Sequence, residues 1–282
     1  MSRIAAFALF ALTAALVHAQ SFEAASIKPF PEGGTIVFSG CEGGPGSNDP
    51  GRINCEYVTL KMLLMRAYHV KNQEIFGPNW LDSEHFNIVA KAPPGATKDQ
   101  VAAMIQNLLA ERFQVALHHE TRQLTGYSLE ISKGGLKMKE AAPPAATNDD
   151  APTGPPPVGK DGFPILRPSV LAAGPIILFR QGRARLQASN ATLSALAESL
   201  SNYLDRVIND ETGLGGKYGM TLNWTPAPNE QGGRQDISPP SDEPEVNLFV
   251  ALEQQLGLRL VSKKIPRDTL VIDRAAKAPA EN

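Results

Sequence analysis

The chain has 282 residues, of which 42% are hydrophobic and 20% charged, and its formal net charge is −2. This composition excludes a disordered protein and allows one large or two modest domains with a substantial core. A charge so close to zero gives no general positive field, so we expect neither nucleic acid nor an anionic membrane as a partner.

Residues 1–19 have the composition of a secretory signal peptide. Arg3 supplies a positive charge, residues 5–17 are apolar and uncharged, and residues 17–19 read Val-His-Ala, a small-x-small cleavage site before Gln20. An uncleaved membrane anchor is the alternative, but this apolar run is shorter than the roughly 20 residues that a spanning helix needs. We therefore predict export to the periplasm or the exterior, with no transmembrane segment left after cleavage.

Two predicted strands, at 22–28 and 34–39, lead into a Gly- and Asn-rich stretch that holds the two cysteines of the chain, Cys41 and Cys55. In an oxidising compartment such a pair most often forms a disulfide. Closing a loop of about 15 residues stabilises a protein by roughly 3 kcal/mol. A two-thiol metal or redox site is the alternative, but it lacks CxxC spacing and a partner histidine.

The first helix follows an alternating strand pattern at 53–58. Thr59 is a natural N-cap, and the apolar residues after it recur at helical spacing. They are Leu60, Leu63, Leu64, Ala67 and Tyr68. This switch of period predicts a strand that feeds directly into an amphipathic helix.

A second helix is predicted after a turn and a strand at 85–90. Thr97 with Gln100 forms a capping box at its start. Two alternating segments, 113–117 and 127–131, follow it, and we predict that they pair as a hairpin.

The same succession of patterns returns at a constant offset of 133 residues. Residues 186–193 repeat the strand and N-cap of residues 53–60, and a second helical stripe follows Thr192. A strand at 217–222, a helix that ends at Gly257 and a further strand pair complete the correspondence. Chance similarity is the alternative, but matched elements in the same order favour duplication.

Each copy reads β-α-β-β-α-β-β, so we predict an α+β fold of two tandem homologous units, with helices packed on antiparallel or mixed sheets. The signal peptide is followed by the first unit, 20–139, and a Pro-rich mobile linker, 140–165. The second unit, 166–282, contains a mobile loop at 226–244. Both loops are too poor in apolar residues to order themselves. Whether the units form one domain or two stays open.

The histidines do not predict a metal or catalytic site. His69 ends the first helix, His85 begins a strand, and the adjacent His118 and His119 point to opposite faces of a strand. The chain contains no HxH, HExxH or Cys/His cluster, so surface and helix-end positions explain these residues better than metal binding.

Other catalytic signatures are equally absent from the sequence. There is no GxSxG or SxxK motif, and the Gly-rich residues 213–217 lack the remainder of a phosphate-binding loop, which favours a β-turn. Trp80 and Trp224 stand at corresponding strand boundaries, where we expect them to lock a strand end onto a helix, with ligand stacking as the alternative. We therefore predict no catalytic residue, no cofactor and no metal ion.

Several motifs spread over the mature chain carry a family resemblance. They are the opening Phe22-Glu23-Ala24-Ala25-Ser26-Ile27-Lys28-Pro29, Pro50-Gly51-Arg52, Gly77-Pro78-Asn79-Trp80-Leu81, Leu109-Ala110-Glu111-Arg112-Phe113, Thr212-Gly213-Leu214-Gly215-Gly216-Lys217-Tyr218 and Leu270-Val271-Ile272-Asp273. Together they resemble a soil-associated secreted protein family of unknown function that is expanded in acidobacteria. Some relatives are attached to membrane metallopeptidases of the β-lactam-sensor type, which implies an extracytoplasmic sensing or binding module.

We therefore expect a non-enzymatic exported module that binds an unidentified small molecule or protein partner. The alternative is a secreted enzyme with a site in the groove between the two units. Candidate contacts in that groove are Trp80, His69, His85 and Trp224. A pocket with convergent titratable side chains would favour the enzyme.

Overall fold

The computed structural model describes residues 21–31, 33–36, 38–141, 156–227 and 246–280. Helices combine with antiparallel and mixed sheets in this part of the chain, so the predicted α+β class is confirmed. Contacts divide the chain into two compact units. Unit 1 runs to Arg122 and resumes at Arg267, and unit 2 comprises Gln123–Pro266. The predicted signal peptide lies outside the described residues.

Unit 1 is an antiparallel sheet with two helices packed on one face. Its elements are β1 (Ala24–Pro29), β2 (Gly40–Gly43), β3 (Arg52–Thr59), α1 (Leu60–Tyr68), β4 (Ile75–Phe76), β5 (His85–Lys91), α2 (Lys98–Phe113), the first part of β6 (Ala116–Ile131) and the last part of β11 (Leu258–Arg274). The antiparallel sheet has the order β1-β5-β3-β2. Its inward side chains and the apolar stripes of both helices form one core that includes Ile53, Leu64, Phe86, Leu109 and Phe113.

Both helices of unit 1 begin at the predicted caps. The Thr59 hydroxyl accepts a hydrogen bond from the Met62 N–H at 3.2 Å. Thr97 and Gln100 form the predicted capping box, with bonds of 3.2 and 2.8 Å. These bonds satisfy N–H groups that the first helical turn leaves without a partner.

Unit 2 also combines an antiparallel sheet with helices around a core of its own. Its elements are the last part of β6, α3 (Pro168–Ala172), β7 (Ile176–Arg180), β8 (Arg183–Ala191), α4 (Leu193–Leu204), β9 (Ile208–Asp210), β10 (Tyr218–Trp224), α5 (Leu248–Ala251) with a following π-helical turn (Leu252–Leu256), and the first part of β11. The sheet order is β10-β8-β7. Thr192 caps α4 as predicted, with a 3.1 Å bond from the Ala195 N–H, and Gly257 ends the second helix in the left-handed conformation.

A β-bulge occupies the same register in both sheets. In unit 1 the pairing shifts between Cys55 and Val58, so two residues of β3 lie opposite Asn87 alone. In unit 2 the shift between Tyr218 and Met220 places two residues of β8 opposite Gly219 alone. From the bulged strand onward, the order of strands and helices is therefore the same in each unit, whereas β1 of unit 1 and α3 of unit 2 have no counterpart in the other unit. Duplication as its origin stays a prediction.

The predicted hairpin of segments 113–117 and 127–131 is wrong. Residues 116–131 form one continuous strand, β6, and residues 258–274 form another, β11. Each strand begins in one unit and ends in the other. Gly126 is buried inside β6, where a Cβ would collide with the Val207 carbonyl oxygen. The contact units therefore differ from the predicted sequence ranges at 123–139 and from 267 onward.

The predicted linker at 140–165 is packed where it is described. Residues 142–155 lie outside the described residues, but Phe163 near its end is only 2% exposed. Val158 and Pro164 form an antiparallel bridge around a tight turn. An apolar ring two residues before the end of the linker thus anchors a segment whose composition indicated mobility. Of the predicted loop at 226–244, residues 228–244 lie outside the described residues.

Candidate functional site

A cleft of unit 1 lies at one end of its antiparallel sheet and has a volume of about 690 Å³. We call it the aromatic cleft. It is lined by the end of β1, the loop after it, the bulge of β3, the start of β5 and part of the C-terminal segment. The side chains that line it include three aromatic rings and an ion pair beside an aliphatic residue: Phe30, Tyr57, His85, the Glu84–Lys277 pair and Ile36. A volume of this size lies within the usual range of about 300–1,000 Å³ for small-molecule sites.

The bulge of β3 aims Tyr57 into the aromatic cleft. Its backbone adopts φ 49°, a left-handed conformation that is unfavourable for a bulky residue. Two side chains hold it there: Asn87 Oδ1 accepts from the Tyr57 N–H at 3.0 Å, and the Ser39 hydroxyl donates to the Tyr57 carbonyl at 3.1 Å. Such strain persists where surrounding structure fixes it, and bulges are a common means of redirecting a side chain.

Three aromatic rings meet in the aromatic cleft. The Tyr57 and His85 rings are stacked, with centroids 3.8 Å apart and planes 12° apart. Phe30 meets Tyr57 edge-on, with centroids 4.8 Å apart. Ile36 on the adjoining loop is 51% exposed and adds apolar surface. The cleft therefore offers flat, partly exposed ring faces beside an accessible aliphatic side chain.

An ion pair lies at the rim of these rings. Lys277 Nζ and Glu84 Oε1 are 2.7 Å apart. The C-terminal segment that carries Lys277 is held by backbone bonds from Ala276 to Phe113, 2.6 Å, and from Ala280 to Arg112, 2.7 Å. A donor and an acceptor beside an apolar floor can orient a ligand that has a flat ring with polar groups at its edge.

Of the residues predicted as ligand contacts, the structure brings only His85 into the aromatic cleft. His69 is an exposed left-handed C-cap of α1. Trp80 is half-buried against the core of unit 1. Trp224 is 3% exposed in unit 2, and its Nε1–H donates to the Tyr203 hydroxyl at 3.1 Å. A site between the two units stays a prediction.

Sequence reasoning missed Tyr57 and Phe30. The alternation of β3 gave Tyr57 no special position, because the bulge that reverses its direction depends on pairing with β5. A comparison of the two copies could have singled out Tyr57 and His85, because the corresponding residues of the second copy, Asn190 and Lys217, are not aromatic. A large aromatic pair present in one copy alone indicates a role other than building the shared sheet.

The other histidines pair with carboxylates on β11. His118 Nδ1 lies 2.9 Å from Asp273 Oδ1, and His119 Nδ1 lies 2.7 Å from Asp268 Oδ2. All four side chains are at least half exposed. Within the described ranges, no three His, Cys, Asp or Glu side chains are grouped closely enough to hold a metal ion.

The predicted disulfide between Cys41 and Cys55 is confirmed, with an S–S distance of 1.99 Å. The two residues face each other across β2 and β3. The bond joins the edge strand to the strand that carries the bulge. It therefore fixes the sheet a short distance from Tyr57.

A family model described as a protein of unknown function (DUF3738) matches residues 61–275. The chain belongs to this family. The matched range begins just after the Thr59 cap and ends just after β11, so it includes most of both units of this DUF3738 protein. Neither the curated proteins nor the solved structures contain a match to it. Within the described residues, no helix has the length and apolar character needed to span a bilayer.

Proposed function

We propose that this DUF3738 protein is an exported, non-enzymatic binding module whose aromatic cleft takes a small molecule that carries a flat ring. The observation that carries the proposal is the backbone of Tyr57, held at φ 49° by Asn87 and Ser39 so that its ring stacks on His85. A residue placed against its backbone preference points to a requirement beyond folding.

The chemistry of the cleft selects the ligand class. Aromatic rings bind other rings through offset or edge-to-face contacts worth about 0.5–1.5 kcal/mol beyond area burial. Phe30, Tyr57 and His85 supply such surfaces, and the Glu84–Lys277 pair supplies an acceptor and a donor at the rim. A planar heterocycle or a sugar ring with polar substituents meets both requirements.

Export is the second part of the proposal and rests on the amino-terminal sequence. Residues 1–19 have the charge, apolar run and cleavage site of a signal peptide. The disulfide fits an oxidising compartment. The resemblance to soil-associated acidobacterial proteins, some attached to sensor-type membrane peptidases, supports a sensing role outside the cytoplasm by analogy.

The test uses the mature chain from Gln20 onward in a ligand-observed NMR screen of ring-bearing metabolites. We expect hits whose binding is lost in Tyr57→Asn, which removes the ring and keeps a residue that tolerates the left-handed conformation. The matched control is Phe249→Ala, because Phe249 is an aromatic residue of unit 2 that is 38% exposed.

Three results would each contradict a part of the proposal. Hits that bind equally well to the Tyr57→Asn variant would remove the aromatic cleft as the site. A hit that mass spectrometry shows to be chemically converted during incubation would replace the binding role with an enzymatic one. Mature protein that starts at Met1 after expression in a bacterium with a secretion system would contradict export.

A further inference from the structure

The outer face of the unit 2 sheet is covered by a segment of the same unit. Residues 156–166 turn back on themselves there: the Gly159 N–H donates to the Phe163 carbonyl at 2.8 Å, and the Ile165 N–H donates to the Pro157 carbonyl at 2.8 Å. This turn packs the Phe163 ring against the sheet, and only 2% of the residue is exposed. We call these residues the covering segment.

Two arginines of β8 hold the covering segment. The guanidinium carbon of Arg185 lies 4.2 Å from the centroid of the Phe163 ring, and that of Arg183 lies 5.7 Å from it. Arg185 Nη1 also pairs with Asp161 Oδ2 at 2.6 Å, and its Nε–H donates to Asn223 Oδ1 at 2.6 Å. The Arg185 guanidinium thus binds two groups of the covering segment: the Phe163 ring, and the carboxylate of Asp161, two residues earlier in the sequence.

Unit 1 has the same position on its own sheet. Arg185 faces Asn223 across the β8–β10 pair, and Arg52 faces Lys91 across the β3–β5 pair. Arg52 lies on β3 three residues before Cys55, after which the bulge begins, and Arg185 lies on β8 three residues before Ala188, after which the bulge of unit 2 begins. Arg52 therefore occupies in unit 1 the place that Arg185 occupies in unit 2.

The equivalent face of unit 1 holds a groove of about 610 Å³ beside Arg52. Its floor consists of small or apolar side chains, among them Ala24, Ser26 and Val89, and Val89 is 39% exposed. Lys91 at the rim is already paired with Glu23 at 2.7 Å. The Arg52 side chain is exposed and forms no hydrogen bond or ion pair with any described residue.

We propose that this groove docks a peptide segment of a separate protein partner, with an acidic residue two positions before an aromatic residue. The uncompensated Arg52 guanidinium supplies the charge complementarity for the carboxylate, as Arg185 does for Asp161. The shallow floor of Ala24 and Ser26 leaves room for the ring beside Val89. Asp49, also at the rim, disfavours a second acidic group.

The probe is a fluorescein-labelled peptide with the sequence of the covering segment, Pro-Pro-Val-Gly-Lys-Asp-Gly-Phe-Pro-Ile-Leu. Fluorescence anisotropy with the full mature protein should show saturable binding. We expect Kd to rise about tenfold or more in Arg52→Ala, since that variant loses both a charge-assisted bond and a cation–π contact. Replacing the peptide phenylalanine with alanine should weaken binding equally.

A charge reversal distinguishes docking at Arg52 from a general electrostatic effect. The variant Arg52→Glu should reject the probe but bind a peptide in which lysine replaces the aspartate. Arg180→Glu, an equal charge change at an exposed position of β7, should leave binding of both peptides unchanged.

Three outcomes would overturn the proposal. One is absence of probe binding to the unmodified protein. Another is binding that depends on Arg185 and not on Arg52, which would show exchange with the covering segment of unit 2. The third is a dimer in sedimentation that dissociates in Arg52→Ala, because the occupant would then be a second copy of this chain. The groove shares no lining residue with the aromatic cleft, so either proposal can fail alone.

Discussion

At the residue scale, Tyr57 shows how one backbone angle connects sequence to site. A left-handed conformation costs a residue with a Cβ about 1–2 kcal/mol relative to its preferred region. Asn87 and Ser39 offset part of that cost by bonding the N–H and the carbonyl of Tyr57. The equivalent bulge of unit 2 has no left-handed residue among the β8 residues that lie opposite Gly219. The bulge alone therefore does not require the left-handed conformation of Tyr57.

A pair of substitutions measures that strain. Tyr57→Gly and Tyr57→Ala both remove the ring, but only glycine adopts φ 49° freely, so the glycine variant should be more stable by about 1 kcal/mol. Urea unfolding followed by circular dichroism gives the difference. At the neighbouring Glu56, whose φ is not positive, the order should reverse, with alanine more stable than glycine. Equal stability of the two Tyr57 variants would mean that the conformation is not strained.

At the element scale, the covering segment of unit 2 shows how a Pro- and Gly-rich stretch is ordered by a few contacts. Phe163 contributes the burial, and Asp161 contributes the charge that Arg185 requires. The hydrogen bond from Arg185, followed by that from the Phe163 N–H, lowers the pKa of Asp161 below its ordinary value. The carboxylate is thus stabilised in its charged form.

This lowered pKa predicts a pH dependence with a definite sign. The contact between Asp161 and Arg185 should be complete above the ordinary aspartate pKa, about 3.9, and should be lost as the pH falls through the lower folded pKa. NMR titration of the Asp161 carboxyl should give a midpoint that rises in Arg185→Gln. In Lys160→Gln, which also removes one positive charge, the midpoint should change much less. Equal shifts in both variants would assign the effect to net charge.

Local patterns predicted the helices of this protein well. Thr59, Thr97 and Thr192 cap helices as expected because capping depends on a few adjacent residues. Contacts between residues far apart in the sequence could not be predicted from local patterns. Phe163 lies in the predicted mobile linker between Gly162 and Pro164, and nothing local indicates that two arginines on β8 contact its ring. The bulge that aims Tyr57 into the aromatic cleft likewise depends on a strand 28 or more residues away, β5.

At the scale of the whole molecule, sequence order and compact units do not coincide. Residues 123–131 belong to the first copy in sequence but pair in unit 2, where Tyr127 lies beside Ile208 on β9 in parallel. Residues 267–274 belong to the second copy in sequence but pair in unit 1, where Leu270 lies beside Ile75 on β4 in parallel. Each unit is therefore completed by a strand from the other sequence half, which short-range periodicity cannot reveal.

This exchange predicts that the two halves of the chain stay together after the backbone between them is cut. A protease site inserted near residue 148 would leave 123–141 on the amino-terminal fragment and the rest of unit 2 on the other. Leu129, fully buried in the unit 2 core, and the 2.7 Å Glu130–Arg259 pair would link the fragments. Leu270, fully buried in the unit 1 core, would link them again.

The cleaved protein should therefore elute from a gel-filtration column as one species at neutral pH and as two fragments in denaturant. Replacing Leu129 or Leu270 with alanine opens a cavity that costs about 2–5 kcal/mol, so each change should lower the urea concentration at which the fragments separate. Val250→Ala, at a residue 40% exposed, is the matched control and should not. Fragments that separate without denaturant would mean that each sequence half completes its own unit, and the exchanged strands would then contribute little to either core.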